Sequence, residues 1–161
     1  SSAASDVYKR QNQVTSEYYM KFPTILRTAL RSNKVSFPDT LQCNYEERCV
    51  FRAVKYTQDK TEIDASDFLS YVESNKKCPM IPVVDDNDIS SYGCSCFMNL
   101  EMFHYRTKFP TKKKAIAKGM INDSFGPIIV DEKTSHIDLF LYDGVDPSGE
   151  FEVIEKWEKN G

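Results

Sequence analysis

From Lys113 to Trp157 the chain runs through four segments of strand character, "KKAIAKGMI", "PIIV", "HIDLFLYD" and "FEVIEKW". Turn signals at Asn122-Asp123, Gly126-Pro127, Gly144 and Pro147-Ser148-Gly149 divide them. This region binds the fold to a sheet. Ahead of it stand one confident strand, "ERCVFRAVKYT", and a short one, "GCSCF". The rest of the first two thirds alternates helical patterns with loops, "NKVSFPDT" and the long irregular "KKCPMIPVVDDNDISSYG". "VTSEYYMKF" leads into "PTILRTALRS", where Pro23 suits a helix start and Ile25, Leu26, Ala29 and Leu30 line one face. Asp64 as N-cap, with Asp67 in the first turn, opens a helix to about Ser74 that turns Phe68, Leu69, Tyr71 and Val72 inward. Asn99 starts another, ending near Arg106 before Pro110. Helices, a strand, a helix and then mostly strands argue for a single α+β domain, with N-terminal helices packed on a mixed or antiparallel sheet.

With 161 residues the chain has enough core for one domain without a disulfide or metal staple. The first eleven residues stand apart. "DVYKRQ" resembles the in-frame translation of a sequencing adaptor, so Ser1 to Gln11 are expected to be non-native and disordered, leaving 12–161 as the domain. A formal charge of −3 gives no electrostatic reason for nucleic-acid binding, and the lysines of "TKKKAIAK" read as a solvated strand edge. No apolar run approaches the roughly 18 residues of a membrane span, so no membrane partner is expected and the cytoplasm is the default compartment. The five cysteines lack zinc spacing and read as reduced, mostly buried thiols, with no metal site. "DDND" lacks the glycine and terminal glutamate of a calcium loop.

Within the first strand one residue breaks the apolar pattern. Arg52 shares a face with Val50 and Val54, where an unpaired charge costs several kcal/mol. It needs a core acid, for which Asp138 is a candidate, or an anionic ligand. Ser95 lies in the short strand "GCSCF", and Glu150 and Glu152 open the last strand, about 7 Å apart on one face. An arginine on a strand, a serine in a short strand and a late Glu-x-Glu, in this order, resemble the Arg-Ser-Glu class of mono-ADP-ribosyltransferases. Two departures stand out: Ser95 is flanked by Cys94 and Cys96, and Ala53 follows the arginine where that class often has glycine.

The resemblance implies a split sheet and NAD as substrate. It implies that Arg52 meets the pyrophosphate or ribose, Ser95 orients the glutamate, and Glu152 stabilises the charge that grows as nicotinamide leaves. Glu150 would position the acceptor on an unknown macromolecular target, and Tyr92 or Phe97 would stack on the nicotinamide ring. Two other readings stay open. "YGCSCFMNL" followed by "SHIDL" resembles the NlpC-type cysteine peptidases, with Cys94 or Cys96 as nucleophile and His136 as base. A non-catalytic module of bacterial or phage origin that sequesters a nucleotide or a protein fits the same basic and aromatic residues. His136 and Asp138, two apart on a strand, are a pair or a polar strand end, and His104 reads as a surface residue.

Overall fold

Alternation decides the faces of the first strand, β1 (Arg48–Lys55): Val50 and Val54 are fully buried, while Phe51 and Ala53 point the other way. Five strands follow: β2 (Cys94–Phe97), β3 (Lys114–Ile121), β4 (Ile128–Asp131), β5 (His136–Leu139) and β6 (Phe151–Lys156). The computed structural model describes residues 16–159, and the non-native stretch expected at Ser1 to Gln11 lies outside them. All six strands form one sheet in the order β4-β5-β2-β1-β3-β6, every neighbouring pair antiparallel. The expectation of a mixed or antiparallel sheet resolves to the second. The fold is a single α+β domain.

The sheet also parts in the middle. β1 pairs with β3 along its whole length, from Arg48 opposite Ile121 to Lys55 opposite Lys114. With β2 it shares a single register position, Phe51 opposite Phe97. Beyond that point the two strands separate, and the gap has to be filled from elsewhere.

Each face of the sheet carries its own core. One gathers Val50, Val54, Cys94, Cys96, Ala115, Ala117, Ile137 and Phe151, closed by Phe68. The other gathers Phe97, Phe103 and Ile116, with Phe51, Ala53, Leu100 and Phe109 packed against them. A third cluster, built on Phe22, Leu26, Leu30, Tyr92 and Phe140, seats the helix α1 (Thr24–Arg31), which Pro23 precedes as expected. Residues 16–19 are helical before it. Helix α3 (Leu100–Arg106) begins where Asn99 predicts, its side chain accepting from the Met102 amide at 2.9 Å.

The helix expected from Asp64 to about Ser74 is two pieces instead. Asp64 caps a 3₁₀ turn, Ala65–Phe68, and Ser70 starts a separate helix, α2 (Tyr71–Lys77), through a capping box with Glu73. Between them Leu69 is extended, with φ −71° and ψ 145°. The break has a physical cause: the carbonyls of Asp67 and Leu69 accept from Arg52, which a continuous helix would not allow. Tyr71 is consequently exposed rather than turned inward. The cysteines also differ from expectation. Cys94 and Cys96 are buried, but Cys43 and Cys78 are exposed and Cys49 is intermediate; all five are free thiols.

The turn into β4 depends on Gly126. Its φ is +152°, and a Cβ there would lie 1.9 Å from the Phe140 carbonyl oxygen. Tyr45 donates to the Gly126 carbonyl at 2.6 Å, tying the preceding loop to the same turn. Gly126→Ala is expected to cost about 3 kcal/mol, read as a fall of about 10 °C in the thermal midpoint. An unchanged midpoint would show that the turn is not held against β5 in this way.

Candidate functional site

Arg52 fills the gap between β1 and β2. Its Nε donates to the Asp67 carbonyl at 2.7 Å, one terminal nitrogen to the Ser95 carbonyl at 2.6 Å and the other to the Leu69 carbonyl at 3.3 Å. The Phe68 ring lies 5.6 Å from the guanidinium carbon. One side chain therefore joins β1, β2 and the 3₁₀ segment. The segment is pinned a second time through the Asp67 carboxylate, which accepts from the Lys55 and Asp64 amides and from Lys60 Nζ at 2.6 Å.

Among the described residues, no carboxylate pairs with Arg52. Asp138, the core acid proposed for it, instead accepts from Ser90 Oγ at 3.0 Å. Arg52 keeps its charge: burial opposes it, but the thiols of Cys94 and Cys96, Tyr71 and Asp67 hold its pKa above the ordinary value. Donation of its S–H to Cys94, together with burial, pushes the Cys96 thiol up. Three of the five guanidinium donors go to carbonyls, which leaves two for something else.

Arg52 borders a cleft of about 170 Å³ at the parting of the strands. Ser95 and Gly93 line it from β2 and its approach, Phe97, Phe103 and Phe109 supply aromatic walls, and Tyr71, Thr107 and Lys114 add polar groups. Lys114 is held over the Phe109 ring with its Nζ 5.1 Å from the centroid. A second cavity of about 210 Å³ lies beneath α1, bordered by Leu26, Phe68, Cys94 and Leu139. It is the less suited to polar ligands, because its Glu73 carboxylate is already engaged by the Ser70 amide.

Behind the cleft is a group that the sequence placed only in part. Ser95 Oγ is 2.6 Å from His136 Nε2, and Asp138 Oδ1 is 3.9 Å from the same nitrogen. Registration brings them together: Ser95 stands opposite Asp138, and Phe97 opposite His136. The edge of Phe97 packs on the imidazole, with centroids 5.2 Å apart. Burial raises the Asp138 pKa above the ordinary carboxylate value, against the opposing pull of His136 and Ser90.

The remaining expected site residues fall elsewhere. Glu152 stands opposite Lys118 on the edge strand, in a row that crosses Phe51 to Phe97. That places it three strand spacings from β2, at least about 14 Å away. Arg52 and Glu152 also leave opposite faces of the sheet, since Phe151 and Val153 are the β6 residues packed on the Val50 and Val54 face. Glu150 ends an exposed 3₁₀ turn before β6. Tyr92 is buried with α1, its hydroxyl donating to the Asp86 carbonyl, so it does not reach the cleft. Phe97 does. The cysteine-nucleophile arrangement is not formed: Cys94 and Cys96 are buried on the face opposite Ser95, and His136 is bonded to the serine. His104 pairs with Glu155 at 2.9 Å on the surface.

No group of side chains suited to a metal ion is found among the described residues, and none of their helices is long and apolar enough to cross a membrane. No family model, curated protein or solved structure matches the chain.

Two outcomes test this geometry. Arg52→Met leaves three carbonyls without a donor and is expected to cost at least about 3 kcal/mol, whereas Arg52→Lys recovers only part of that loss. Chemical denaturation of both variants checks it. For Asp138 the folded pKa is raised, so the folded state binds more protons than the unfolded state above the ordinary carboxylate pKa, and the residue subtracts stability there. Asp138→Asn should therefore raise the midpoint at neutral pH, with the gain shrinking as the pH falls toward the unfolded carboxylate value. A gain that grew in acid would contradict it.

Proposed function

We propose that the cleft between β1 and β2 binds a phosphate-bearing small molecule with a planar ring, of which a mononucleotide is the natural class. The observation that carries the reading is the charge of Arg52: a buried guanidinium at the cleft wall whose hydrogen-bond partners are carbonyls rather than a carboxylate. A guanidinium suits phosphate oxygens because its planar fork can give two parallel donors. Lys114 adds a second cation, and the phenylalanines supply surfaces on which a base can stack. Tyr71 supplies a hydroxyl for a sugar or phosphate.

Size decides between one nucleotide and two. Pockets that enclose whole drug-sized ligands run from about 300 to 1,000 Å³. At about 170 Å³ this cleft suits a phosphate and an adjoining ring better than all of NAD. Transfer of ADP-ribose has a further obstacle, since neither Glu150 nor Glu152 borders the cleft. Of the functions the residues allowed, binding of a nucleotide is therefore favoured over its transfer to a macromolecule.

Titration calorimetry with ADP, ATP and NAD, with adenosine as the phosphate-free control, tests the reading. Mononucleotides should bind, adenosine should bind at least tenfold more weakly, and Lys114→Glu should weaken ADP by about tenfold or more. Glu152→Gln should leave ADP affinity unchanged. Absence of heat with every nucleotide at millimolar concentration, or equal affinity in Lys114→Glu, would remove the proposal.

A further inference from the structure

We infer that Ser95 is a nucleophilic serine with His136 as its general base, able to accept an acyl or phosphonyl group from an anionic ester. The inference goes beyond nucleotide binding and does not depend on it. A serine hydroxyl becomes a useful nucleophile when a base within hydrogen-bond reach takes its proton. Ser95 Oγ lies 2.6 Å from His136 Nε2. The serine borders an open cleft, and the imidazole is held between the Phe97 edge and a carboxylate. A hydroxyl serving only to fill the hydrogen bonds of a strand would have no need of an imidazole and a cavity together.

The third group is arranged differently from a relay through the far ring nitrogen. Asp138 Oδ1 approaches the same Nε2 that faces the serine, at 3.9 Å. It does not set the tautomer. Once the serine proton has moved to Nε2, the imidazolium lies beside this carboxylate, which stabilises the charge that transfer creates. Ser90 Oγ holds the other carboxylate oxygen in place. Asp138 is thus a positioning residue that acts through His136. Arg52 and Lys114, both at the cleft, favour negative charge on the substrate and on the oxygen that develops it.

The step balances without a cofactor. Ser95 Oγ attacks the carbonyl carbon of an ester while its proton passes to His136 Nε2. The carbon to alkoxide-oxygen bond then breaks, and the leaving alcohol takes that proton. Water releases the acyl group by the same sequence, with His136 again the base. A fluorophosphonate stops at the first stage: the oxygen to phosphorus bond forms, fluoride leaves with the electron pair, and the serine proton passes through His136 to solvent.

The whole chain treated with a fluorophosphonate, digested and read by mass spectrometry tests this directly. One adduct is expected, on the peptide carrying Ser95, and none there in Ser95→Ala. His136→Ala should slow labelling at least a hundredfold, with added imidazole restoring part of the rate, an effect that a purely structural histidine would not give. His136→Gln keeps an amide beside the hydroxyl without a base, and should stay folded and unlabelled. An unlabelled Ser95 in the folded protein, or His136→Gln reacting at the wild-type rate, would overturn the inference.

Discussion

A single guanidinium holds apart and holds together the two halves of this sheet. Where β1 and β2 diverge, backbone carbonyls on β2 and on the 3₁₀ segment would otherwise face a gap without donors. Arg52 supplies three N–H groups in one plane, to the carbonyls of Asp67, Leu69 and Ser95. Its charge is fixed over the whole accessible pH range, so the bracket does not titrate away. Lysine could not replace it, because one ammonium on a flexible stem cannot span acceptors that lie on separate elements.

The cleft follows from the same parting. A fully paired β1 and β2 would leave no gap between them for the Arg52 side chain or for a cleft. The interrupted pairing leaves Phe51 opposite Phe97 as the hinge of the opening. α3, capped by Asn99, lays Phe103 along one side, and Lys114 stands at the start of β3. Cation, hydroxyls and rings then converge, although they come from parts of the chain far apart in sequence.

Much of this was legible beforehand because the signals were local. Strand periodicity gave β1, β3 and β6 nearly to the residue, and Asp64, Asn99 and Pro23 marked their element starts. Ser70 and Glu73 form a capping box that spells out the start of α2, yet the stronger Asp64 signal absorbed them into one helix. What broke that helix was distant, the demand of Arg52 for the Asp67 and Leu69 carbonyls. The meeting of Ser95 with His136 was hidden for a related reason. Period two placed His136 and Asp138 on one face, but β2 and β5 are not consecutive strands, and only their register sets which residues stand opposite. Glu152 was placed in its strand, but Glu150 falls in the 3₁₀ turn ahead of it, and neither could be placed in the sheet, since the sequence does not tell which neighbour a last strand chooses. Here it chose β3.

That choice leaves β6 at the rim, where a bare row of amides and carbonyls invites a second chain to add on. The register slips between Ile116 and Ala117, opposite β6, and the kink it brings interrupts the flat rail another strand would need. With Glu152, Glu155 and Lys156 spaced along the same short segment, the border is both bent and charged. A concentrated solution of this domain should thus resist growing into stacked sheets, and the extra residue that bulges β6, Ile154, would be its guard against fibre formation.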